Sequence, residues 1–220
     1  MIFADRFDAG RRLAEALQHL ADRDPVVLAL VRGGLPVAFE VAKALAAPLD
    51  VVLVRKIGAP SQPELAVGAV VDGAQPEIVS NPEIMAMLGL SQSYVEAEAK
   101  RQLAEIDRRR AAYLRGRPPV EVHGRTAIVV DDGIATGATT RAALHAVRRR
   151  QPSRLVLAVP VAPPDTLERL AADADEIVCL DRPEPFGAVG YFYNDFTQVS
   201  DREVVDLLDR ARAGSDPEAP

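Results

Sequence analysis

Cysteine is almost absent from this 220-residue chain, and tryptophan is missing altogether. The single Cys179 permits no intrachain disulfide, which is typical of a reducing compartment. Nothing in the surrounding sequence suggests a nucleophile, so we interpret Cys179 as a core residue. This cysteine usage favours a cytoplasmic protein.

Long apolar runs are missing as well. No stretch approaches the ~20 apolar residues that span a bilayer. Charged residues interrupt the N-terminal segment, so no secretory signal is predicted. The net charge of −6 argues against general binding of nucleic acids or anionic membranes, although a local basic pocket is compatible with it. We therefore expect a soluble protein with no nucleic-acid and no membrane partner.

Apolar runs of the kind found in buried strands alternate with amphipathic helix patterns. Strands are predicted at 25–31, 49–54, 126–130, 154–160 and 176–180. Helices are predicted at 8–21 with Asp8 as N-cap, from 36 to about 45, from 141, at 93–114 with a Ser93–Glu96 capping box, at 164–173, and from Ser200 to about 212. This alternation predicts an α/β fold with a doubly wound, mainly parallel sheet flanked by helices.

The domain organisation is simple. The chain length fits a single domain over residues 1–213, and residues 214–220 have a disordered composition. Residues 65–81 predict two strands that turn at Asp72-Gly73. Within this domain we expect a helical insertion at about 82–117 and a small hood at about 181–200.

The most informative stretch is residues 126–140. A β-branched strand ends in Asp131 and Asp132, and a Gly/Ala/Thr loop then leads into a helix. Such a loop directs backbone N–H groups and the positive end of a helix toward one point, which suits a phosphate. The hydroxyls of Thr136, Thr139 and Thr140 can add donors. The two acids must contact something else, and ribose hydroxyls or a magnesium shell are the candidates.

Two other nucleotide-binding motifs are excluded. A P-loop requires a Lys after its second glycine, whereas Ala138 follows Gly137 here. A Rossmann fingerprint requires G-x-G-x-x-G, which does not occur.

A second glycine loop and a pair of cations follow the first two strands. Arg32-Gly33-Gly34 comes directly after the strand at 25–31, and adjacent glycines permit the close approach of a ligand. Arg55-Lys56 follows the strand at 49–54, where the ligands of open α/β sheets bind. We expect both segments to face the same crevice as the 126–140 loop.

Residues Val129 to Thr139 resemble the PRPP-binding signature of the type I phosphoribosyltransferases, in its adenine-phosphoribosyltransferase-like form. The resemblance implies transfer of a 5-phosphoribosyl group from PRPP to a nitrogenous base or related acceptor, with Mg²⁺ and release of pyrophosphate, as in nucleotide salvage. It implies that Asp131, Asp132 and Lys56 are catalytic, and that magnesium, carried by PRPP, contacts the two acids through water. It assigns pyrophosphate to Arg32, Gly33, Gly34, Arg55 and Lys56. It assigns the 5-phosphate to Ala135, Thr136, Gly137, Ala138, Thr139 and Thr140.

The segment from Phe186 to Phe196 carries five of the ten Phe and Tyr residues. These aromatics either form a small core corner or stack on a planar base. The segment resembles the hood of hypoxanthine-guanine phosphoribosyltransferases. This implies an acceptor site that includes Phe186, Tyr191, Tyr193 and Asp195. The 6-oxopurine enzymes carry an acid where this chain has Ala135, which argues against that substrate unless Asp195 substitutes.

Three expectations remain open at this level. The Pro/Gly/Ser-rich segment 58–64 resembles the family's mobile loop over PRPP. The helix at 93–114 either shapes the acceptor pocket or forms a contact in a homodimer, which is the expected state. A non-catalytic regulator that binds PRPP or a nucleotide is the alternative to an enzyme, but the chain lacks a helix-turn-helix extension.

Overall fold

A five-stranded parallel sheet forms the centre of the molecule. The computed structural model describes residues 1–60, 62–72 and 77–213, so the predicted tail and the turn after Asp72 lie outside the described residues. The strands are β1 (Pro25–Leu30), β2 (Leu49–Val52), β6 (Thr126–Val130), β7 (Arg154–Val161) and β8 (Glu176–Asp181). Their order is β2-β1-β6-β7-β8, and every pairing is parallel. The predicted fold class is confirmed.

Helices cover both faces of this sheet. The flanking helices are α1 (Arg6–Ala16), α2 (Gly34–Ala44), α5 (Ala138–Arg149), α6 (Pro164–Leu170) and α7 (Asp201–Ala213). Val27 and Ala29 of β1 pack on the side of α1, α2 and α7, while Val26 and Leu28 pack on the side of α5 and α6. Burial on both faces explains why these strands are continuous apolar runs.

A three-stranded antiparallel sheet stands beside the central one. It consists of β3 (Val54–Ala59), β4 (Gln62–Val71) and β5 (Glu77–Ser80), with β4 in the middle. The prediction of one strand from Leu49 to Val54 is wrong, because the chain leaves the parallel sheet at Leu53. Arg55 and Lys56 therefore lie inside β3. The largely apolar run 49–54 continues past Leu53. The hydrophobic pattern therefore does not mark the point where the chain passes from the parallel to the antiparallel sheet.

The segment interpreted as a mobile loop is largely a hairpin. Gly58 pairs with Ala66, and Ala59 pairs with Gln62, across the end of β3 and β4. Ser61 lies outside the described residues. Closure of this hairpin over a ligand stays a prediction.

The insertion contains α3 (Pro82–Met87) and the long α4 (Gln92–Leu114). The predicted Ser93–Glu96 cap is wrong, because the Ser91 Oγ accepts the Tyr94 N–H at 3.3 Å. The Asp8 cap is wrong for the same reason, since the Asp5 carboxylate accepts the Asp8 N–H at 2.7 Å. Each helix offers two residues able to cap it, and the one nearer the N-terminus does so. None of the described helices is both long and apolar enough to cross a membrane.

Candidate functional site: a phosphoribosyl pocket

The two loops singled out in the sequence meet at the carboxyl ends of β1 and β6. These strands are neighbours, with Ala29 opposite Val130. A Cβ on Gly33 would overlap the carboxylate of Asp132, and a Cβ on Gly34 would lie 2.7 Å from the Val130 carbonyl oxygen. Both positions therefore require glycine because the loop lies directly against the acid pair. The predicted convergence of these two segments is present.

The acid pair is enclosed by protein. The Asp131 Oδ1 accepts the Asp132 N–H at 2.9 Å. Burial and the neighbouring Asp132 carboxylate raise the pKa of Asp131 well above its ordinary value. Burial also raises the pKa of Asp132, although the Arg6 guanidinium opposes that shift. Two adjacent carboxylates in this position would be stabilised by hydroxyl donors or by a cation.

The loop between β6 and α5 has the geometry of an anion site. Gly137 precedes α5 with a left-handed φ of 80°, and no described side chain caps the helix. The first turn of α5 carries no acidic residue. Its N–H groups and the helix dipole are therefore available to a phosphate. The loop is anchored to α6, since the Thr166 hydroxyl donates to the Ala135 carbonyl oxygen at 2.8 Å.

The predicted phosphate-loop residues differ in their accessibility. Ala135, Thr136 and Ala138 are exposed, and Thr139 is partly buried. Thr140 is 2% exposed and belongs to the inner face of α5. Its role in binding the 5-phosphate stays a prediction.

The predicted pyrophosphate cations Arg55 and Lys56 lie on opposite faces of β3, because successive strand residues alternate. Arg55 faces α4, where its Nε donates to the Gln102 Oε1 at 3.1 Å. Lys56 is opposite Ala69 of β4. Ala69 lines a groove of about 430 Å³ together with Ala138, the first residue of α5. Lys56 therefore lies on the α5 side of this sheet and Arg55 on the α4 side, so the expectation that both face one crevice is wrong. Contact of Lys56 with pyrophosphate stays a prediction.

Arg32 approaches a carboxylate of α7. Its Nη1 lies 3.6 Å from the Asp201 Oδ1, and the peptide bond between Val31 and Arg32 is cis. Asp201 also accepts the Tyr113 hydroxyl of α4 at 2.5 Å. Burial and this hydrogen bond raise the pKa of Tyr113 to about 12. Arg32 is thus oriented by groups from two helices.

The hood packs mainly on itself and on the N-terminal segment. Its backbone pairs with Phe3, which donates to the Phe192 carbonyl oxygen at 2.8 Å. The ring of Phe186 stacks on that of Phe192, with centroids 5.3 Å apart. Tyr191 is 73% exposed. Tyr193 is buried, Phe186 and Phe192 are half-buried, and Phe196 is exposed like Tyr191. The core-corner interpretation therefore describes only part of this segment.

Tyr193 and Asp195 occupy different environments from those expected of acceptor-binding residues. Tyr193 is buried, and its hydroxyl donates to the Asp132 carbonyl oxygen at 2.5 Å. This contact supports the acid pair, and a contact with an acceptor stays a prediction. The exposed Asp195 accepts the N–H and hydroxyl of Thr197, and these hydrogen bonds lower the pKa of Asp195.

Arg6 is a site residue that the sequence did not indicate. Its guanidinium is buried, and the Nε donates to the Asp132 Oδ2 at 2.8 Å. In the sequence it resembles Arg11 and Arg12, which occupy the same helix and pair with Asp8 on the surface. No sequence pattern separates these three arginines, because Asp132, the partner of Arg6, is 126 residues away.

Comparison with known proteins identifies the family to which the chain belongs. A family profile described as "Phosphoribosyl transferase domain" matches residues 4–195, which is most of the chain. The chain belongs to the phosphoribosyl transferase family.

Relatives agree with this membership. A Mycobacterium tuberculosis protein named "Putative phosphoribosyl transferase" is 51% identical over 211 residues, which is 96% of this chain. The match covers 47% of that protein, so the chain spans about half the length of the curated relatives it matches. The crystal structure of TT1426 from Thermus thermophilus is 50% identical, with a TM-score of 0.82, and the match covers 94% of this chain and 98% of that one. The AQ2163 protein from Aquifex aeolicus, at 15% identity and a TM-score of 0.52, shares the fold over 92% of this chain and 84% of its own.

This phosphoribosyl transferase family member has a second cleft, which is larger than the groove lined by Ala69 and Ala138. It measures about 510 Å³ and lies beside β2 and the C-terminal end of α5. Its charged groups bond to the protein itself. The Asp50 carboxylate accepts the Val51 and Val120 N–H groups, and Arg110 pairs with Asp72 at 2.9 Å. We interpret these groups as structural.

The acid pair by itself does not complete a metal site. Within residues 1–60, 62–72 and 77–213, no group of three or more His, Cys, Asp or Glu side chains could hold a metal ion. Magnesium keeps several waters and is commonly held by one or two carboxylates together with substrate phosphates. Asp131 and Asp132 fit that mode, in which the ligand supplies the remaining oxygens.

We expect Tyr193→Phe to destabilise the fold by about 1–2 kcal/mol, because the Asp132 carbonyl loses its buried hydroxyl donor. Urea unfolding monitored by circular dichroism measures this loss. Tyr191→Phe is the matched control, since the exposed Tyr191 should change the free energy of unfolding little. Equal midpoints for the two variants would contradict the role given to Tyr193.

Proposed function

We propose that this protein transfers the 5-phosphoribosyl group of PRPP to a nitrogenous acceptor and releases pyrophosphate. The observation that carries the proposal is the contact of the Gly33-Gly34 loop with Asp131 and Asp132 beside the uncapped start of α5. This arrangement provides an anion site, a pair of carboxylates and a second backbone loop in one crevice. PRPP presents a 5-phosphate, two ribose hydroxyls and a diphosphate to match them.

Each part of PRPP has a corresponding group. The N–H groups at 136–139 receive the 5-phosphate, and Asp131 and Asp132 accept hydrogen bonds from the ribose hydroxyls. Arg32, Lys56 and the N–H groups of the glycine loop contact the diphosphate. Arg55 acts indirectly, because its guanidinium is turned toward Gln102.

Catalysis then depends on positioning and electrostatics. The anchored 5-phosphate and ribose hold C1 in line between the diphosphate and the acceptor nitrogen. The bond from C1 to the diphosphate breaks with oxocarbenium character, and the carboxylates stabilise the positive charge on the ring. Arg32 and Lys56 stabilise the charge on the departing diphosphate. Mg²⁺ bound to PRPP, with Asp131 and Asp132 as outer ligands through water, would add Lewis-acid stabilisation of the same leaving group.

The acceptor is the least constrained part of the proposal. Ala135 supplies no carboxylate beside the phosphate loop, and the exposed Asp195 accepts hydrogen bonds from Thr197. A 6-oxopurine acceptor that relies on an acid at the position of Ala135 is therefore disfavoured. Homodimerisation and a cytoplasmic location remain predictions of the sequence.

The test is a pyrophosphate-release assay with PRPP, Mg²⁺ and a panel of purine and pyrimidine bases, with PRPP binding measured in parallel by calorimetry. We expect release that depends on one class of base. PRPP binding without release for any base would contradict the enzymatic function and support the regulatory alternative. Absence of PRPP binding would contradict both.

A further inference from the structure

Arg6 is held in place at three points at the start of α1. Its Nε donates to the Asp132 Oδ2 at 2.8 Å, and its Nη1 donates to the Thr197 carbonyl oxygen at 2.9 Å. The guanidinium carbon lies 3.9 Å from the centroid of the Phe196 ring. Only 8% of the residue is exposed. These contacts fix both the position and the plane of the guanidinium.

The carboxylate of Asp132 is consequently enclosed from two sides. Arg6 engages its Oδ2, while Gly33 lies so close that no Cβ could be accommodated. A buried guanidinium without a partner would be strongly unfavourable, so the ion pair keeps the carboxylate at this point. The Asp132 side chain retains 13% exposure. Arg6 therefore engages one carboxylate oxygen of Asp132 and fixes the orientation of the carboxylate.

We propose that Arg6 is a positioning residue that holds the Asp132 carboxylate in the orientation that binds the ribose of PRPP, and that it links the hood to the ribose site. This inference rests on the proposed function. The link follows from the other two contacts, because Phe196 and Thr197 belong to the hood at about 181–200. Arg6 itself lies behind Asp132 and does not contact the substrate.

The experiment measures PRPP affinity, in the presence of Mg²⁺, for Arg6→Gln, Arg6→Lys, Asp132→Asn and the Arg6→Gln/Asp132→Asn double variant. Arg6→Gln should weaken PRPP binding by about 10- to 100-fold, the usual effect of removing a group that orients a ligand-binding residue. Arg6→Lys should show a smaller loss, because it keeps the charge but cannot bridge Asp132 and Thr197. Arg11→Gln is the control, since Arg11 is exposed on the same helix and 3.9 Å from its nearest carboxylate.

The double variant separates positioning from general stabilisation. If Arg6 acts through Asp132, adding Arg6→Gln to Asp132→Asn should leave PRPP affinity unchanged. Circular dichroism at the assay temperature confirms that each variant is folded, and Arg6→Lys provides the comparison if Arg6→Gln is not. Independent, multiplicative losses, or unchanged affinity in folded Arg6 variants, would overturn the inference while leaving the proposed function intact. A wild-type protein that does not bind PRPP would overturn both.

Discussion

Replacing Asp131 by Asn should reduce base-dependent pyrophosphate release by about 10²- to 10³-fold, which is typical for removal of a group that stabilises transition-state charge. Asn has nearly the same shape and can still accept the Asp132 N–H through its carbonyl oxygen. It cannot supply the negative charge that favours a positively charged ribose ring. The expected change is a loss of turnover with an unfolding midpoint close to wild type.

The neighbouring Asp132→Asn should also remove activity but with a different effect on stability. Asp132 is 9% exposed and paired with Arg6. Breaking a buried ion pair costs up to about 3–5 kcal/mol, so this variant should unfold at lower denaturant than Asp131→Asn. Asp165→Asn, at a 67% exposed surface pair, controls for the loss of one charge. Retained turnover in folded Asp131→Asn would show that the ribose does not contact this pair.

The second large effect is expected for Gly34→Ala. Gly34 begins α2, where Ala would normally be favoured over Gly by about 1 kcal/mol. The added Cβ would lie 2.7 Å from the Val130 carbonyl oxygen and 2.8 Å from the Asp131 Cα, so backbone must move. Overpacking of this kind costs about 1–3 kcal/mol, and a displacement of about 1 Å at a catalytic site can cost about 10²-fold in rate. We therefore expect lower stability together with weak PRPP binding.

Gly187→Ala is the matched control for that variant. Its Cβ would approach the Tyr191 ring at 2.6 Å, but this ring is 73% exposed and can rotate away. The control should keep both its unfolding midpoint and its PRPP affinity. If Gly34→Ala behaves in the same way in calorimetry and thermal unfolding, the glycine loop does not lie in close contact with the acid pair.

The sequence predicted the central sheet well because each strand is mainly apolar. The glycine loop and the acid pair were also found, since each directly follows an apolar strand and the stretch from Val129 to Thr139 resembles a known signature. The exchange at Leu53 was missed, because hydrophobicity reports burial and not the identity of the neighbouring strand. That one error placed Arg55 in the crevice, whereas the pleat of β3 turns it toward α4.

Contacts between distant residues could not be read from local patterns. Tyr193 was assigned to the acceptor by the resemblance of its segment to a hood, and its hydroxyl donates to the Asp132 carbonyl oxygen. Thr140 carries a suitable hydroxyl but falls on the buried side of α5. In each case the residue type was informative, but the direction of the side chain could not be predicted. That direction depends on packing against elements far along the chain.

The residues that hold Asp132 in place also determine when the pocket can form during synthesis. Asp132 and the glycine loop leave the ribosome well before Tyr193 and Thr197, and Arg6 leaves before all of them. The enclosure of this carboxylate therefore requires both ends of the domain to dock on the finished sheet. Such long-range closure is slow compared with local helix formation. We expect the ribose site to be among the last regions to become ordered, with earlier folding stages retaining the sheet but binding no PRPP.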